Sequence, residues 1–309
     1  MDPISIRSHI YFRTFNVIII LYHLMCINPA IILPLSLFCC LSFYPILIFA
    51  LYSKCTITVS VCLSLIVASR LCSDDTLAKW IRTNAVSKVH WFGEYQPLKE
   101  KEVLLVIPHG MFCTEGFVSC IDKGLHHGYT MLIDNKLFYS SPTTLLVGRA
   151  IGPHVSPLNH KTIIGLMQKG RSLGAFPGGF VEAVGYNENT YSINTNTYNY
   201  WIKQCQTYGY NIRIHFIYNQ NDFYKQSSFM THWRTQIAGK YHIPLIMPYY
   251  VKKPDTMYAR CLYYHSGDIS KESVDAIKSK IEVDLKACYD KDTKDIKHMT
   301  AKLNIISKL

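Results

Sequence analysis

Charge is nearly absent from one part of this 309-residue chain: between Val17 and Ser69 the only charged residue is Lys54. A run of that length is hard to keep in water. Val17 to Ser53 alone is long enough for nearly two helical crossings of a hydrocarbon core that takes about 20 residues each. Pro29, Pro34 and Pro45 interrupt it, and proline removes a backbone N–H and kinks a helix. A hairpin or re-entrant pair therefore suits residues 17–69 better than one straight span. The alternative, a cleaved signal peptide followed by a core helix, asks for an apolar region of only roughly 7–15 residues. Cys-x-x-Cys pairs are also missing, although the chain has 11 cysteines. An odd count without framework spacing argues against a disulfide scaffold and for a reducing compartment. His126-His127 near Cys120 matches no zinc spacing, so no metal is expected. Acidic residues are few, 21 against 32 Lys and Arg, giving a net charge of +11. Such a balance suits an anionic partner. Yet the sequence has no zinc-finger spacing, no RNA-binding signature and no clean basic helix, so nucleic acid is not expected. No internal repeat is present.

The remaining sequence divides simply. Residues 1–16 form a polar lead-in, 17–69 the membrane-embedded hairpin, and 70–309 a globular part large enough to bury its own core. Basic residues flank the hairpin on both sides: Arg7 and Arg13 before it, Arg70, Lys79 and Arg82 after. Positive charge beside a membrane segment marks the cytosolic face, so both termini are expected there. Apolar runs at Val103–Ile107, Tyr129–Ile133, Leu173–Phe176, Ile212–Tyr218 and Leu245–Val251 read as strands. Met257–Tyr264 reads as a later edge strand. Helical patterns fall between them at Met111–Lys123, Ser141–Ile151, Lys161–Lys169 and Tyr198–Tyr208. The alternation predicts an α/β fold, a sheet flanked by helices. Val274, Ile277, Ile281, Leu285 and Cys288 recur at helical spacing, with Asp268 or Ser270 as N-cap. Val181–Thr197 lacks periodicity and reads as a loop.

Two turns carry the chemistry. Ile107-Pro108-His109-Gly110 follows the first apolar run, and Phe176-Pro177-Gly178-Gly179-Phe180-Val181-Glu182-Ala183 follows the third. A histidine in a turn at a strand end is held by backbone yet accessible, as a general base must be. A Gly-Gly turn allows close backbone approach, and Glu182 adds one negative charge. Together they point to acyl transfer. His109 would take a proton from a hydroxyl, and the N–H groups of Gly110 and Met111 could face an oxyanion. Glu182 would orient His109 or hold the acceptor hydroxyl. Read alone, His109 could equally cap a helix or fill a turn, and Glu182 could be an N-cap or surface residue.

The ordered series of motifs resembles the type-2 diacylglycerol acyltransferase family, which esterifies mono- and diacylglycerols and long-chain alcohols. The likeness extends through Gly148-Arg149 to Thr162-Ile163, through Trp201-Ile202-Lys203 and Gly209, and through Ile217 to Gln226. It ends in Val274–Tyr289, and spans roughly residues 85 to 295. The resemblance implies a glycerolipid-acyltransferase-like sheet behind a membrane hairpin. It implies acyl-CoA as co-substrate with no other cofactor, and a neutral lipid alcohol as acceptor. The site would lie at the bilayer of the endoplasmic reticulum or an equivalent membrane, facing the cytosol. Self-association into a homo-oligomer stays open. Pro108, Gly110, Pro177, Gly178 and Gly179 would line the substrates. Arg149, His160, Lys169 and Arg171 would be candidates for the coenzyme A phosphates and polar heads, with a solvated basic face the alternative.

Several positions depart from the family pattern. His160 stands where Arg is expected, and Asn219 and Gln220 replace Gly and Glu. Tyr198, Asn199 and Tyr200 replace basic residues before Trp201. Related glycerolipid acyltransferases use His-x-x-x-x-Asp; that Asp position is Thr114 here. Glu115 follows it and is a further candidate to orient His109, although a helix turns it away by about 100°; a solvated or membrane-surface Glu is the alternative. Lysophospholipid acyltransferases carry Pro-Glu-Gly-Thr where this chain has Pro-Gly-Gly-x-x-Glu, which makes that activity the second choice. A silent lipid-binding protein of the same fold is the reading from another class.

Overall fold

The structure is a computed structural model. It describes residues 86–97, 99, 101–108, 114–125, 128–135, 138, 154–185, 193, 195–218, 224–226, 230–241, 248–251 and 256–306. The expected hairpin 17–69, helix 141–151 and the residues His109, Gly110 and Arg149 lie outside them. Among the described residues, no helix is long and apolar enough to cross a membrane.

The element order is β1 (Lys88–Phe92), β2 (Glu102–Ile107), α1 (Thr114–Asp122), β3 (Tyr129–Asp134), β4 (His154–Leu158), α2 (His160–Gln168), β5 (Ser172–Ala175) and α3 (Gly179–Gly185). It continues with α4 (Tyr198–Tyr208), β6 (Asn211–Tyr218), β7 (Tyr224–Gln226), α5 (Thr231–Tyr241), β8 (Pro248–Val251), β9 (Thr256–Tyr264), α6 (Ser266–Ile269) and α7 (Val274–Ile306). Seven strands form one sheet in the order β1-β9-β6-β2-β5-β3-β4, and β7 pairs with β8 in a separate ribbon. The five strands from β6 to β4 run parallel, while β9 lies antiparallel to β6 and carries β1 beside it.

Strand β2 shows how the sequence builds this sheet. All six of its residues are buried, as in a strand covered on both faces. Successive side chains alternate between those faces. Val103, Leu105 and Ile107 join one core with Ile212, Ile214 and Phe216 of β6, Ile202 of α4, and Ile277 and Ile281 of α7. Leu104 and Val106 join the other with Val118 and Ile121 of α1. The fold is therefore the expected α/β sheet with helices on both faces. Helix α2 starts where the Asn159 side chain accepts from the Thr162 N–H at 2.9 Å. Helix α4 ends at Gly209, whose φ of 68° supplies the left-handed turn.

Three local expectations are corrected, and a fourth holds over its described part. Strand β9 is internal rather than an edge, because β1 pairs along its outer side from Lys88↔Thr256 to Phe92↔Arg260. The expected strand Leu245–Val251 is a strand over Pro248–Val251, in the small ribbon, and residues 245–247 lie outside the described residues. The expected loop Val181–Thr197 begins inside α3, which buries Glu182, Ala183 and Val184. The C-terminal helix is capped neither by Asp268 nor by Ser270, which lie in and directly after α6. Instead the Ser273 hydroxyl accepts from the Ala276 N–H at 3.2 Å, and the helix runs on to Ile306.

Candidate active site

Strands β2 and β5 are direct neighbours and parallel, with Val103 opposite Leu173 and Leu105 opposite Ala175. Their C-terminal ends thus emerge on the same edge of the sheet. The chain leaves β2 through the buried Pro108, which directly precedes His109 in sequence, and leaves β5 through Phe176, Pro177 and Gly178 into α3. The two motifs, some seventy positions apart in sequence, start from adjacent strand ends.

The second motif is built tightly. Gly179 has φ of 55°, the left-handed region that favours glycine. At Gly178 a Cβ would collide with the carboxylate of Glu182, which folds back over the Gly178 backbone. Glu182 is 5% exposed, so the surface-residue alternative does not apply to it. The carbonyl of Pro177 accepts from the Thr197 hydroxyl at 2.9 Å, which ties the turn to the start of α4. Phe176 packs against α1: a Cβ on Gly116 would strike its ring and the Val106 side chain. The helix that follows the first motif therefore lies against the residue that opens the second.

The other candidates separate by sheet edge. His160 opens α2 directly after β4, on the same edge as the two turns but two strands along from β5, about 10 Å at ordinary strand spacing. It is exposed, and its Nδ1 lies 3.1 Å from the Tyr200 hydroxyl. Lys169 and Arg171 are exposed and precede β5. They stand at the opposite edge, separated from Pro177 by the length of the strand, roughly 15–20 Å. The structure does not bring them to the Glu182 turn. Glu115 belongs to the first turn of α1. Among the described residues, no group of three His, Cys, Asp or Glu side chains converges as a metal site requires.

A buried polar network beneath the first motif escaped the sequence reading. His215 on β6 faces Val106 of β2 in register. Its Nδ1 lies 3.0 Å from the Ser119 hydroxyl of α1, and its Nε2 2.9 Å from the Tyr95 hydroxyl. Ser119 in turn donates to the Gly116 carbonyl at 2.7 Å. Burial, with Arg213 and Lys123 nearby, holds the His215 imidazole well below the usual histidine range. Two residues away Arg213 pairs with Glu102 at 2.8 and 3.0 Å, both side chains fully buried. Glu102 also accepts from the Tyr129 hydroxyl. The signal in the sequence was the alternation Asn-Ile-Arg-Ile-His-Phe in β6. It resembles a half-exposed strand, but with helices on both faces its polar side chains have to be paired inside.

No family model matches the chain, and no curated protein matches it. Among solved structures it is similar to the crystal structure of the 1-acyl-sn-glycerophosphate (LPA) acyltransferase PlsC from Thermotoga maritima. The identity is 11%, the TM-score 0.45, and the match covers 86% of this chain and 98% of that one. At that score the likeness carries no functional argument, and the reading of the site rests on its own residues.

Proposed function

We propose that the chain is a membrane-bound, acyl-CoA-dependent O-acyltransferase that esterifies a neutral lipid alcohol, with His109 as general base. The observation that carries this reading is the β2–β5 register, which starts both motifs from one sheet edge. The buried Glu182 carboxylate folded over Gly178 supports it. In the proposed reaction the His109 imidazole takes the acceptor hydroxyl proton as the oxygen attacks the thioester carbonyl. The tetrahedral intermediate collapses, the C–S bond breaks, and the imidazolium returns its proton to the coenzyme A thiolate. Products are an ester and free coenzyme A. A positioned imidazole contributes about 10²–10⁴-fold to such a step. Glu182 holds the base or the acceptor hydroxyl.

A neutral acceptor suits the charges better than a phosphorylated one. A phosphate head wants a cation, best as an arginine fork. Gly178 to Ala183 contains none, and Glu182 would repel an anion. Lys169 and Arg171 lie at the other end of β5. The apolar segment 17–69 would set the domain on a bilayer, where neutral alcohols reside, with the catalytic side facing the cytosol. The test is a microsomal assay with labelled acyl-CoA and a panel of acceptors. Mono- or diacylglycerol or a long-chain alcohol should be acylated. Robust acylation of glycerol 3-phosphate or a lysophospholipid, and of no neutral alcohol, would move the chain to the phospholipid branch. Acylation of none would support the silent lipid-binding alternative.

A further inference from the structure

Helix α5 packs on α3, the helix that carries Glu182, through one face only. A Cβ on Gly239 would sit 3.4 Å from the Val181 methyl, and Thr235 approaches Gly185 in the same way at 3.6 Å. Ala238, on the same side, is buried. At about 100° per residue, Trp233, Ile237 and Lys240 fall on the opposite side, and Met230 stands just ahead of the helix. Three large apolar side chains are exposed among the described residues: Met230 at 49%, Trp233 at 48% and Val283 at 66%. Two of the three stand together on this face, in line with the half-buried Ile237. Single exposed apolar residues need no explanation, but a grouped stripe marks an interaction surface.

The composition of the helix selects the partner. Thr231–Tyr241 contains no Asp or Glu, and Lys240 lies in its last turn. Tryptophan favours the boundary between water and hydrocarbon, and a basic side chain beside it favours anionic headgroups. The chain also holds the near-chargeless run 17–69, which would keep this domain beside a bilayer. We infer that the Met230–Trp233–Ile237 face of α5 rests in the membrane interface and seats the Glu182 helix at the bilayer surface. This deepens the membrane-bound reading proposed above, but its readout is lipid contact and not turnover, so either can fail alone.

The experiment uses the full-length chain reconstituted in phosphatidylcholine–phosphatidylserine vesicles containing lipid brominated at defined acyl-chain depths. The chain has four tryptophans, so the emission of Trp233 is the difference between wild type and Trp233→Phe. Trp233→Tyr provides a second, independent difference at the same position. Both should lose most of that difference emission to bromolipid, and most strongly to bromines nearest the headgroups. Unquenched, red-shifted difference emission would place the face in water and overturn the inference. Unquenched but blue-shifted emission, identical in detergent, would mean that another segment or a second copy covers the face, and would overturn it as well.

Discussion

Gly178 and Glu182 behave as one unit at the residue scale. The carboxylate occupies the space that any side chain at position 178 would need, so Gly178→Ala must push Glu182 out of place. A displacement of about 1 Å at a reacting centre can cost roughly 10²-fold. Gly178→Ala is therefore expected to lower turnover about as far as Glu182→Gln, and both further than Glu115→Gln at matched accumulation. Equal losses at Glu182 and Glu115 would favour a His109–Glu115 pair instead. His215 gives a pH prediction. Its folded-state value lies well below the ordinary 6.5, so the folded protein binds fewer protons than the unfolded chain once pH falls below about 6.5. Stability from this group is full above that pH and is lost as pH drops through the acid range. His215→Gln, which keeps a donor and an acceptor for Tyr95 and Ser119, should flatten the melting temperature between pH 6.5 and pH 5. An unchanged slope would mean that other groups set the acid limit.

At the scale of elements, α7 is fastened to the sheet by charge as well as by its apolar stripe. Asp292, fully buried, accepts from Arg260 at 2.5 and 2.7 Å and from the Tyr218 hydroxyl at the end of β6. Removing one partner of such a buried pair costs about 3–5 kcal/mol, because the other charge is left behind. Asp292→Asn should lower the melting midpoint clearly, whereas cutting the exposed Lys286–Asp290 pair should leave it unchanged within error. Strands β2, β3 and β5 could be read in advance, since strands buried on both faces are largely continuous apolar runs, and so could β6 from Ile212 to Tyr218, although Arg213 and His215 interrupt its apolar residues. Strands β1 and β4 could not. They lie at the sheet edges with residues such as Lys88, His154 and Pro157 partly in solvent, so their pattern is weak. Helix α3 was hidden because Pro-Gly-Gly signals a turn and its seven residues are too few to show periodicity. The second motif was legible as a local turn, while His109 and Gly110 of the first lie outside the described residues. The His215–Ser119 contact joins residues 96 apart and follows only from the strand order, which no local pattern encodes.

At the scale of the whole molecule, the proposed membrane-bound reading gives two parts of the chain different solvents. Residues 86–306 contain a sheet with a core on each face, while 17–69 lacks the charge that water would require. Deleting 17–69 is expected to abolish carbonate-resistant membrane association. Reversible attachment through α5 could persist, since an interfacial helix face holds far less strongly than a span. Protease protection of either terminus in sealed microsomes would contradict a hairpin with both ends cytosolic. The central claim, that His109 is the base of an acyl transfer, is tested most directly in a host lacking its own neutral-lipid acyltransferases. There the wild-type chain should restore ester formation from acyl-CoA, and His109→Ala, accumulating to the same level, should lower turnover by at least roughly 10²-fold. Near-normal turnover of His109→Ala at equal accumulation would contradict the account.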